Sequence, residues 1–309
     1  MSILIICPNR ESKPWLDDLT KVDPSIEYQI WPNVTSKDKV TFALTWQHPE
    51  GVFNDYPNLK CICSMGAGVD NLLRDPYLPE SVPIVRLVDP GLAQAMFEYV
   101  CSSALFYVQN TALYQEQQAK KIWLEQPTKS LSETTIGIMG LGKIGEHCAT
   151  QLSQLGFKVR GWSRNLKKIN GVTSFAGNDQ LLEFAKGTNI LVCLLPLTEE
   201  LTGILNLRLF KSLAEDACLI NVARGAHLNE DDLIEALETN VLSCAFLDVF
   251  IQEPLPLEHV FWNNKKIHMT PHSSSITNTQ AVAPQIINNY RLMCNSKPLL
   301  NQVNVKQGY

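Results

Sequence analysis

The sequence has no excess of basic residues, no long apolar run and no regular spacing of cysteines. Its 26 Lys and Arg stand against 31 Asp and Glu, a formal net charge of −5, which gives no broad basic surface for nucleic acid or anionic lipid. No apolar run is long enough to cross a bilayer as a helix. The nine cysteines lie mostly within apolar runs, so we interpret them as small reduced hydrophobic residues. We therefore predict no nucleic-acid partner, no membrane span, no disulfide scaffold and no metal site.

The first ten residues, MSILIICPNR, predict a first β-strand rather than a signal peptide. Their apolar run is short, follows no basic region and ends at Pro8, whereas a signal peptide has a basic start and a longer apolar core. We therefore predict a cytoplasmic protein. Because its net charge is negative, local cationic groups would have to attract any anionic substrate.

The order of apolar runs predicts two α/β domains, for which 309 residues give enough length. The runs SILIIC, YQIW, FALTW, LKCIC and IVRL predict strands of a first unit. From Gly91 to about Trp123 we predict a long connecting helix, or a helix with an extended arm. The later runs TIGIM, KVRGW, NILVCLL, CLINVA, CAFLDVF and KIHMT alternate with helix-like stretches, which predicts a parallel sheet wound with helices. Residues 276–294 again predict a helix.

The strongest single motif is TTIGIMGLGKIGEHCATQL, in which a strand runs directly into three spaced glycines and then a helix. Gly140 would permit the tight turn, Gly142 would let the backbone approach a pyrophosphate, and Gly145 would allow close helix packing. The helix N-terminus would supply N–H donors for the phosphates. The motif predicts a dinucleotide site.

The segment after the next strand predicts a preference for NADPH. About twenty residues beyond such a loop, an Asp or Glu would bind the ribose of NADH, but this sequence has Trp162-Ser163-Arg164-Asn165, followed by Lys167 and Lys168. Ser163 can donate a hydrogen bond and Arg164 can bind a 2′-phosphate through two hydrogen bonds. The alternative is that these residues only decorate a surface turn, and use of NADH stays possible.

Three later segments, INVARG, LDVFIQEPLP and MTPHSSS, each place a polar residue after a predicted strand. In an open α/β sheet this is the edge where ligands bind, so Arg224, Glu253 and His272 could converge there. Arg224 could hold a carboxylate and polarise a keto oxygen, while His272 could deliver a proton to it. Glu253 could orient the imidazole and favour its protonated form. Taken singly, such residues are more often ordinary loop residues.

The first unit carries a second glycine turn, Ser64-Met65-Gly66-Ala67-Gly68, between a predicted strand and a predicted helix start. Backbone N–H groups of Gly66, Ala67 and Gly68 could bind a carboxylate there, although the glycines could equally serve only the turn. Trp46, at the end of FALTW, could cover a small cavity or simply belong to the core.

Together GLGKIG, NVARG, DVFIQEPL, TPHSS and SMGAGVDN resemble the D-isomer-specific 2-hydroxyacid dehydrogenase family over nearly the whole chain. Within it, the Trp-Ser-Arg segment, FALTW and the short length resemble the bacterial glyoxylate/hydroxypyruvate reductase A group. The resemblance implies Rossmann- or flavodoxin-like domains with parallel sheets. A dinucleotide-binding domain at 98–276 would be inserted into a substrate domain at 1–97 and 277–309.

The resemblance also implies roles for individual residues. Arg224 would be the substrate arginine, Glu253 the partner of the histidine, and His272 the acid/base, with Trp46 restricting the pocket to glyoxylate or hydroxypyruvate. A homodimer is implied, with an arm at about 99–123 around the partner. The implied cofactor contacts are Gly140, Leu141, Gly142, Lys143, Ile144, Gly145, Trp162, Ser163, Arg164, Leu195, Pro196, Val222, Ala223, Arg224, Asp248 and His272.

Two other functions remain open at this stage. One is reduction of a bulkier 2-keto acid, such as phenylpyruvate or 2-ketoisocaproate, which a substrate panel would separate from the smaller acids. The other is a dinucleotide-sensing interaction protein without turnover, because the same fold also serves as a transcriptional corepressor. All three predicted catalytic positions are filled, which favours an enzyme.

Overall fold

The structure is a computed structural model that describes residues 1–305, apart from the side chain of Pro90. The chain forms two compact units, one from residues 1–92 and the segment beginning at Thr277, the other from Ala93–Ile276. Each unit is an α/β domain with one parallel sheet. The elements in chain order are β1 (Ser2–Ile6), α1 (Lys13–Val22), β2 (Glu27–Ile30), β3 (Val40–Thr45), β4 (Cys61–Ser64), α2 (Asp70–Leu73), β5 (Ile84–Val85), α3 (Pro90–Val108), α4 (Thr111–Ala119), β6 (Thr135–Met139), α5 (Lys143–Gln154), β7 (Lys158–Ser163), β8 (Val172–Ala176), α6 (Leu181–Ala185), β9 (Ile190–Cys193), α7 (Leu207–Phe210), β10 (Ala217–Asn221), α8 (Glu230–Glu238), β11 (Leu242–Leu247), β12 (Ile267–Met269) and α9 (Thr279–Cys294).

The first unit has a five-stranded sheet in the order β2-β1-β3-β4-β5. Successive side chains of a strand face opposite sides of the sheet, and in β1 both sides are buried. Ile3 and Ile5 pack in one apolar cluster with Trp15 of α1 and Ile286 of α9, while Leu4 packs in a second cluster on the other side. This explains why β1 is continuously hydrophobic, as strands of covered parallel sheets are.

The second unit has a seven-stranded sheet in the order β12-β11-β10-β9-β6-β7-β8. β6 pairs in parallel with both β7 and β9, so the winding of the chain reverses next to β6. Ligands of doubly wound sheets bind at the carboxyl ends of the strands beside such a reversal. The glycine loop follows β6, which places it at this position.

The structure changes two details of the sequence prediction. For Gly91 to about Trp123 we predicted a long helix or a helix with an extended arm. The structure has two helices that divide at Asn110, whose φ of +54° lies in the left-handed region that asparagine tolerates, and residues 122–130 have no regular secondary structure. An additional edge strand, β8, was not predicted. Its sequence VTSFA is half exposed and lacks the apolar runs by which most other strands of this sheet were predicted.

No helix within residues 1–305 is both long enough and apolar enough to span a membrane.

Candidate active site

The three predicted glycines of the loop between β6 and α5 differ in their surroundings. Gly140 has a φ of +99°, which favours glycine, and a Cβ there would lie 2.6 Å from the carbonyl oxygen of Leu194. A Cβ on Gly145 would overlap the carbonyl oxygen of Gly140. Gly142 is the N-cap of α5, and no heavy atom of the described residues lies within 4 Å of its Cβ position. The space beside Gly142 is therefore open.

This open space fits the phosphates of a dinucleotide. It lies at the N-terminus of α5, a helix of 12 residues, where first-turn N–H groups lack carbonyl partners within the helix. The helix dipole favours an anion at the same place. Lys143 is exposed and Ile144 is half-buried, whereas Leu141 is buried against Gly161. The residues present therefore fit an NAD(P)H cofactor, with Leu141 acting through packing.

The end of β7 carries no carboxylate and is mostly exposed. The Trp162 ring is buried and its indole N–H donates to the carbonyl of Gly177 at 2.8 Å, so this side chain belongs to the core. The Ser163 hydroxyl donates to the carbonyl oxygen of Asn165 at 2.8 Å. Arg164, like the following Lys167 and Lys168, is exposed. A cation rather than an acid thus stands where an NADH-type site would have its acidic residue.

The structure brings Glu253 and His272 together at the carboxyl edge of the sheet. Arg224 follows β10, Glu253 follows β11 and His272 follows β12, and these three strands are neighbours. His272 Nδ1 lies 2.8 Å from Glu253 Oε2, while the Phe250 N–H donates to Glu253 Oε1 at 3.0 Å. Arg224 Nη1 donates to the Ala223 carbonyl at 2.6 Å.

The charge of Glu253 determines which nitrogen of His272 carries hydrogen. Burial alone would raise the pKa of Glu253, but the hydrogen bond and charge of His272, the Phe250 N–H and the Arg224 charge outweigh it, so the pKa is lowered. An ionised carboxylate only accepts hydrogen bonds, so Nδ1 of His272 is the donor. Nε2 is then the nitrogen that can exchange a proton with a substrate.

Asp248 holds the turn that carries His272. The His272 N–H donates to the backbone carbonyl of Asp248 at 2.8 Å. The Asp248 carboxyl oxygens accept the N–H groups of Ser273 at 2.8 Å and Ser274 at 3.0 Å. His272 has a φ of +53°, uncommon for a residue other than glycine. Asp248 was predicted as a cofactor contact. In the structure it is fully buried and supports the turn through these hydrogen bonds.

Buried residues also surround the ends of β9 and β10. The predicted cofactor residues Leu195, Val222 and Ala223 are nearly buried. Fully buried His227 lies with Nδ1 3.2 Å from the carbonyl oxygen of Arg224 and Nε2 3.2 Å from that of Pro196. It thereby joins the two loops. No sequence pattern selects His227, because a lone histidine in a short turn has no spacing signal.

In the first unit, the ends of three neighbouring strands carry Arg10, Trp46 and the glycine turn. The Arg10 guanidinium lies 4.3 Å from the centre of the Trp46 ring, a cation–π distance. A Cβ on Gly66 would lie 2.8 Å from Trp46 Cζ3, so glycine allows the indole to pack there. Trp46 itself is half-buried. Arg10 carried no signal in the sequence.

The glycine turn differs from its prediction in two respects. The Gly66 N–H donates to Ser64 Oγ at 3.2 Å, and that hydroxyl donates to the Gly68 carbonyl at 2.8 Å. Gly66 therefore uses its N–H within the turn, and its small size is what Trp46 requires. The predicted helix start is α2, which has only 4 residues, so a helix dipole adds little here. Ala67 accepts a hydrogen bond from Arg86 Nη1 through its carbonyl at 3.3 Å.

Comparison with protein families matches residues 101–274 to the model described as "D-isomer specific 2-hydroxyacid dehydrogenase, NAD binding domain". Glyoxylate/hydroxypyruvate reductase A of Serratia proteamaculans is 40% identical over 314 aligned positions, and that of Yersinia enterocolitica is 39% identical. Both alignments cover 100% of this chain and 100% of the relative.

Solved structures give the same family likeness. The D-isomer specific 2-hydroxyacid dehydrogenase from Xanthobacter autotrophicus Py2, in complex with NADPH and MES, superposes with a TM-score of 0.94 at 35% identity, covering 100% of this chain and 99% of that chain. The NADPH-dependent glyoxylate/hydroxypyruvate reductase from Sinorhizobium meliloti, in complex with NADP and sulfate, gives 0.93 at 32% identity, covering 100% of both chains.

Proposed function

This chain belongs to the D-isomer specific 2-hydroxyacid dehydrogenase family of NAD(P)-dependent enzymes, and from that premise we propose that it reduces small 2-keto acids with NADPH. The substrates are glyoxylate, which gives glycolate, and hydroxypyruvate, which gives D-glycerate. Full-length relatives with 39–40% identity carry the name of this activity, which supports the choice of substrates.

The proposed reaction adds a hydride and a proton across the keto group. Bound NADPH supplies the hydride to the carbonyl carbon. His272 donates the proton to the carbonyl oxygen from Nε2, because Nδ1 faces Glu253. Glu253 accepts the hydrogen bond from Nδ1 and thereby orients the ring. Arg224 binds the substrate carboxylate and polarises the carbonyl through charge-assisted hydrogen bonds.

The single observation that carries this proposal is the 2.8 Å contact between His272 Nδ1 and Glu253 Oε2 at the ends of neighbouring strands. The test is the initial rate of loss of reduced-nicotinamide absorbance with glyoxylate, hydroxypyruvate and phenylpyruvate, each with NADPH and NADH. The proposal predicts fast oxidation of NADPH with the two small acids. Nucleotide binding without oxidation in any combination would contradict it.

The proposed cofactor preference depends on the end of β7. Exposed Arg164 would bind the 2′-phosphate, and the nearby Lys167 and Lys168 would add positive charge. We propose that the loop of Gly140, Gly142 and Gly145 binds the pyrophosphate, with Gly142 leaving space for it and the other two glycines serving the turn and the helix packing. Residues 98–276 would form the cofactor domain, and residues 1–97 and 277–309 the substrate domain. Trp46 and the backbone of Ala67 and Gly68 would contact the substrate, and Gly66 would contribute by making room for the Trp46 ring.

We also propose a homodimer in the cytoplasm. After α4, Ile122, Trp123 and Leu124 are 47%, 102% and 58% exposed, a run of apolar side chains that a second copy of the chain would cover. All nine cysteines are free thiols, as a reducing compartment would keep them. Light scattering tests the assembly: the wild type should have twice the mass of one chain, and Trp123→Glu should shift it toward the monomer. A monomeric wild type would contradict the proposal.

A further inference from the structure

Two hydroxyl groups outside the predicted site are linked to the support of His272. Tyr99, on α3, places its hydroxyl oxygen 2.8 Å from Thr270 Oγ1. Thr270 follows β12 and donates to Asp248 Oδ1 at 2.6 Å. Tyr99 is thus linked through Thr270 to the Asp248 carboxyl group. That group accepts the N–H groups of Ser273 and Ser274.

The direction of both hydrogen bonds follows because each hydroxyl group has only one hydrogen to donate. Thr270 has one hydroxyl hydrogen and gives it to Asp248, so the Tyr99 hydroxyl must donate to the Thr270 oxygen. Burial raises the pKa of Tyr99, the Thr270 hydrogen bond lowers it, and the Asp248 charge raises it, with a net increase. Tyr99 therefore keeps its hydrogen at neutral pH.

The His272 turn needs this support because its backbone is held in an uncommon conformation. The residue has a φ of +53°, which persists only where surrounding contacts hold it. Asp248 accepts the N–H groups of three successive residues, His272 through its backbone carbonyl and Ser273 and Ser274 through its carboxyl group. A rotation of the Asp248 carboxyl group would therefore move the turn, while Glu253 contacts the imidazole ring at Nδ1 and not the backbone of the turn.

We propose that Tyr99 and Thr270 are positioning residues that fix the Asp248 carboxyl group and, through the His272 turn, aim Nε2 of His272 at the substrate oxygen. This inference rests on the proposed function of His272 as the proton donor. Neither residue touches the reacting atoms. Their effect is on the rate of proton delivery, because a misaligned acid reacts slowly even where substrate and cofactor bind normally.

The kinetic test uses Tyr99→Phe and Thr270→Val, each compared with a matched control. Tyr107→Phe removes another hydroxyl of α3, which donates to the carbonyl of Asp216 at 2.8 Å. Thr188→Val removes a buried hydroxyl that donates to the carbonyl of Phe184 at 3.1 Å. We expect kcat with glyoxylate to fall about tenfold in both test variants, with KM and NADPH affinity within about twofold of wild type. The solvent deuterium isotope effect on kcat should rise, because proton delivery becomes the slower step.

Thr270→Ser provides the rescue, since it restores the hydroxyl without the methyl group. It should return kcat and the solvent isotope effect to near wild-type values, whereas both controls should leave them unchanged. Test variants no slower than their controls, or a serine variant as slow as the valine variant, would overturn the inference. Because wild-type turnover is measured alongside, a failure of the proposed function would be seen separately, as a wild type with no glyoxylate-dependent oxidation.

A second readout needs neither substrate nor cofactor. Amide hydrogen exchange at Ser273 and Ser274 reports their bonds to Asp248 directly. In the cofactor-free protein, exchange at both amides should become at least several times faster in Tyr99→Phe and Thr270→Val than in wild type, Tyr107→Phe and Thr188→Val. Unchanged exchange in the test variants would contradict the link from Tyr99 to the turn.

Discussion

The carboxyl edge of β10, β11 and β12 and the end of β7 belong to the same sheet, but their charged residues differ in exposure. At the β10–β12 edge, Glu253 has hydrogen bonds to both oxygens and Asp248 holds the following turn. At the β7 end, Arg164, Lys167 and Lys168 are exposed. Chemistry requires fixed geometry, whereas binding of a phosphate by cations requires side chains that the ligand can reach from solvent. We therefore expect the first region to control rate and the second to control cofactor choice.

The largest effect is expected at the β10–β12 edge, from His272→Gln. Loss of a general acid typically lowers turnover by about 10²- to 10⁴-fold, so kcat with glyoxylate should fall within that range. NADPH affinity, measured by fluorescence titration, should stay close to wild type and serves as the control. Turnover near the wild-type rate would mean that His272 is not the proton donor and that the β10–β12 edge does not control the rate.

The glycine loop contains both a glycine that packing requires and a glycine that lies beside open space. At Gly145 a Cβ overlaps the Gly140 carbonyl, whereas at Gly142 the Cβ position is open. Gly145→Ala should destabilise the cofactor-free protein by about 1–3 kcal/mol, the usual cost of overpacking. Gly142→Ala should leave its thermal unfolding unchanged but weaken NADPH binding, because the methyl group occupies space beside the phosphates. Equal unfolding temperatures for the two variants would contradict this.

At the β7 end, Arg164→Glu should change cofactor choice rather than chemistry. A hydrogen bond to a charged group contributes about 1.5–3 kcal/mol, which corresponds to about 10- to 100-fold in affinity. The ratio of kcat/KM for NADPH to that for NADH should therefore drop by that factor, while kcat at saturating cofactor changes little. Equal losses with NADPH and NADH would mean that the 2′-phosphate is bound elsewhere.

The smallest effect is a pH dependence of stability caused by Glu253. Burial opposes ionisation, but His272, the Phe250 N–H and Arg224 lower its pKa in the folded protein below the unfolded value of about 4.3. Its interactions therefore stabilise the fold above about pH 4.3 and are lost as pH falls through the folded pKa. The difference in unfolding temperature between wild type and Glu253→Gln should shrink below that pH. A difference that is constant with pH would contradict the shift.

Much of the fold and of the candidate site was predicted because both follow from local sequence patterns. The alternation of apolar runs with helix-like stretches predicted the parallel sheet of the second unit, and the glycine spacing around Gly142 predicted the dinucleotide site. The order of motifs placed Arg224, Glu253 and His272 at strand ends, where the structure has them. The edge strand β8 was missed because exposed edges have mixed composition. Tyr99 and Thr270 were missed because their link joins residues 171 positions apart, and nothing in local spacing encodes such a contact.

The assigned roles of individual residues stay predictions, which the variants above test. The break at Asn110 illustrates a further limit of the sequence. The run from Gly91 to about Trp123 predicts a long helix or a helix with an extended arm, and one residue with a φ of +54° divides the helical part into α3 and α4. Asparagine is one of the residues that adopt this conformation at helix ends, so Asn110 was a local signal that helix-forming composition alone did not use.

The most direct measurement of the central claim is transfer of deuterium from 4-deuterated NADPH to glyoxylate by the wild-type enzyme, followed by mass spectrometry of the glycolate. Cofactor carrying deuterium at the transferred position should give glycolate with one deuterium on carbon 2, in ordinary water and in an amount equal to the NADPH oxidised. NADPH oxidation without deuterium in the glycolate, or no glycolate at all, would contradict hydride transfer to the keto carbon.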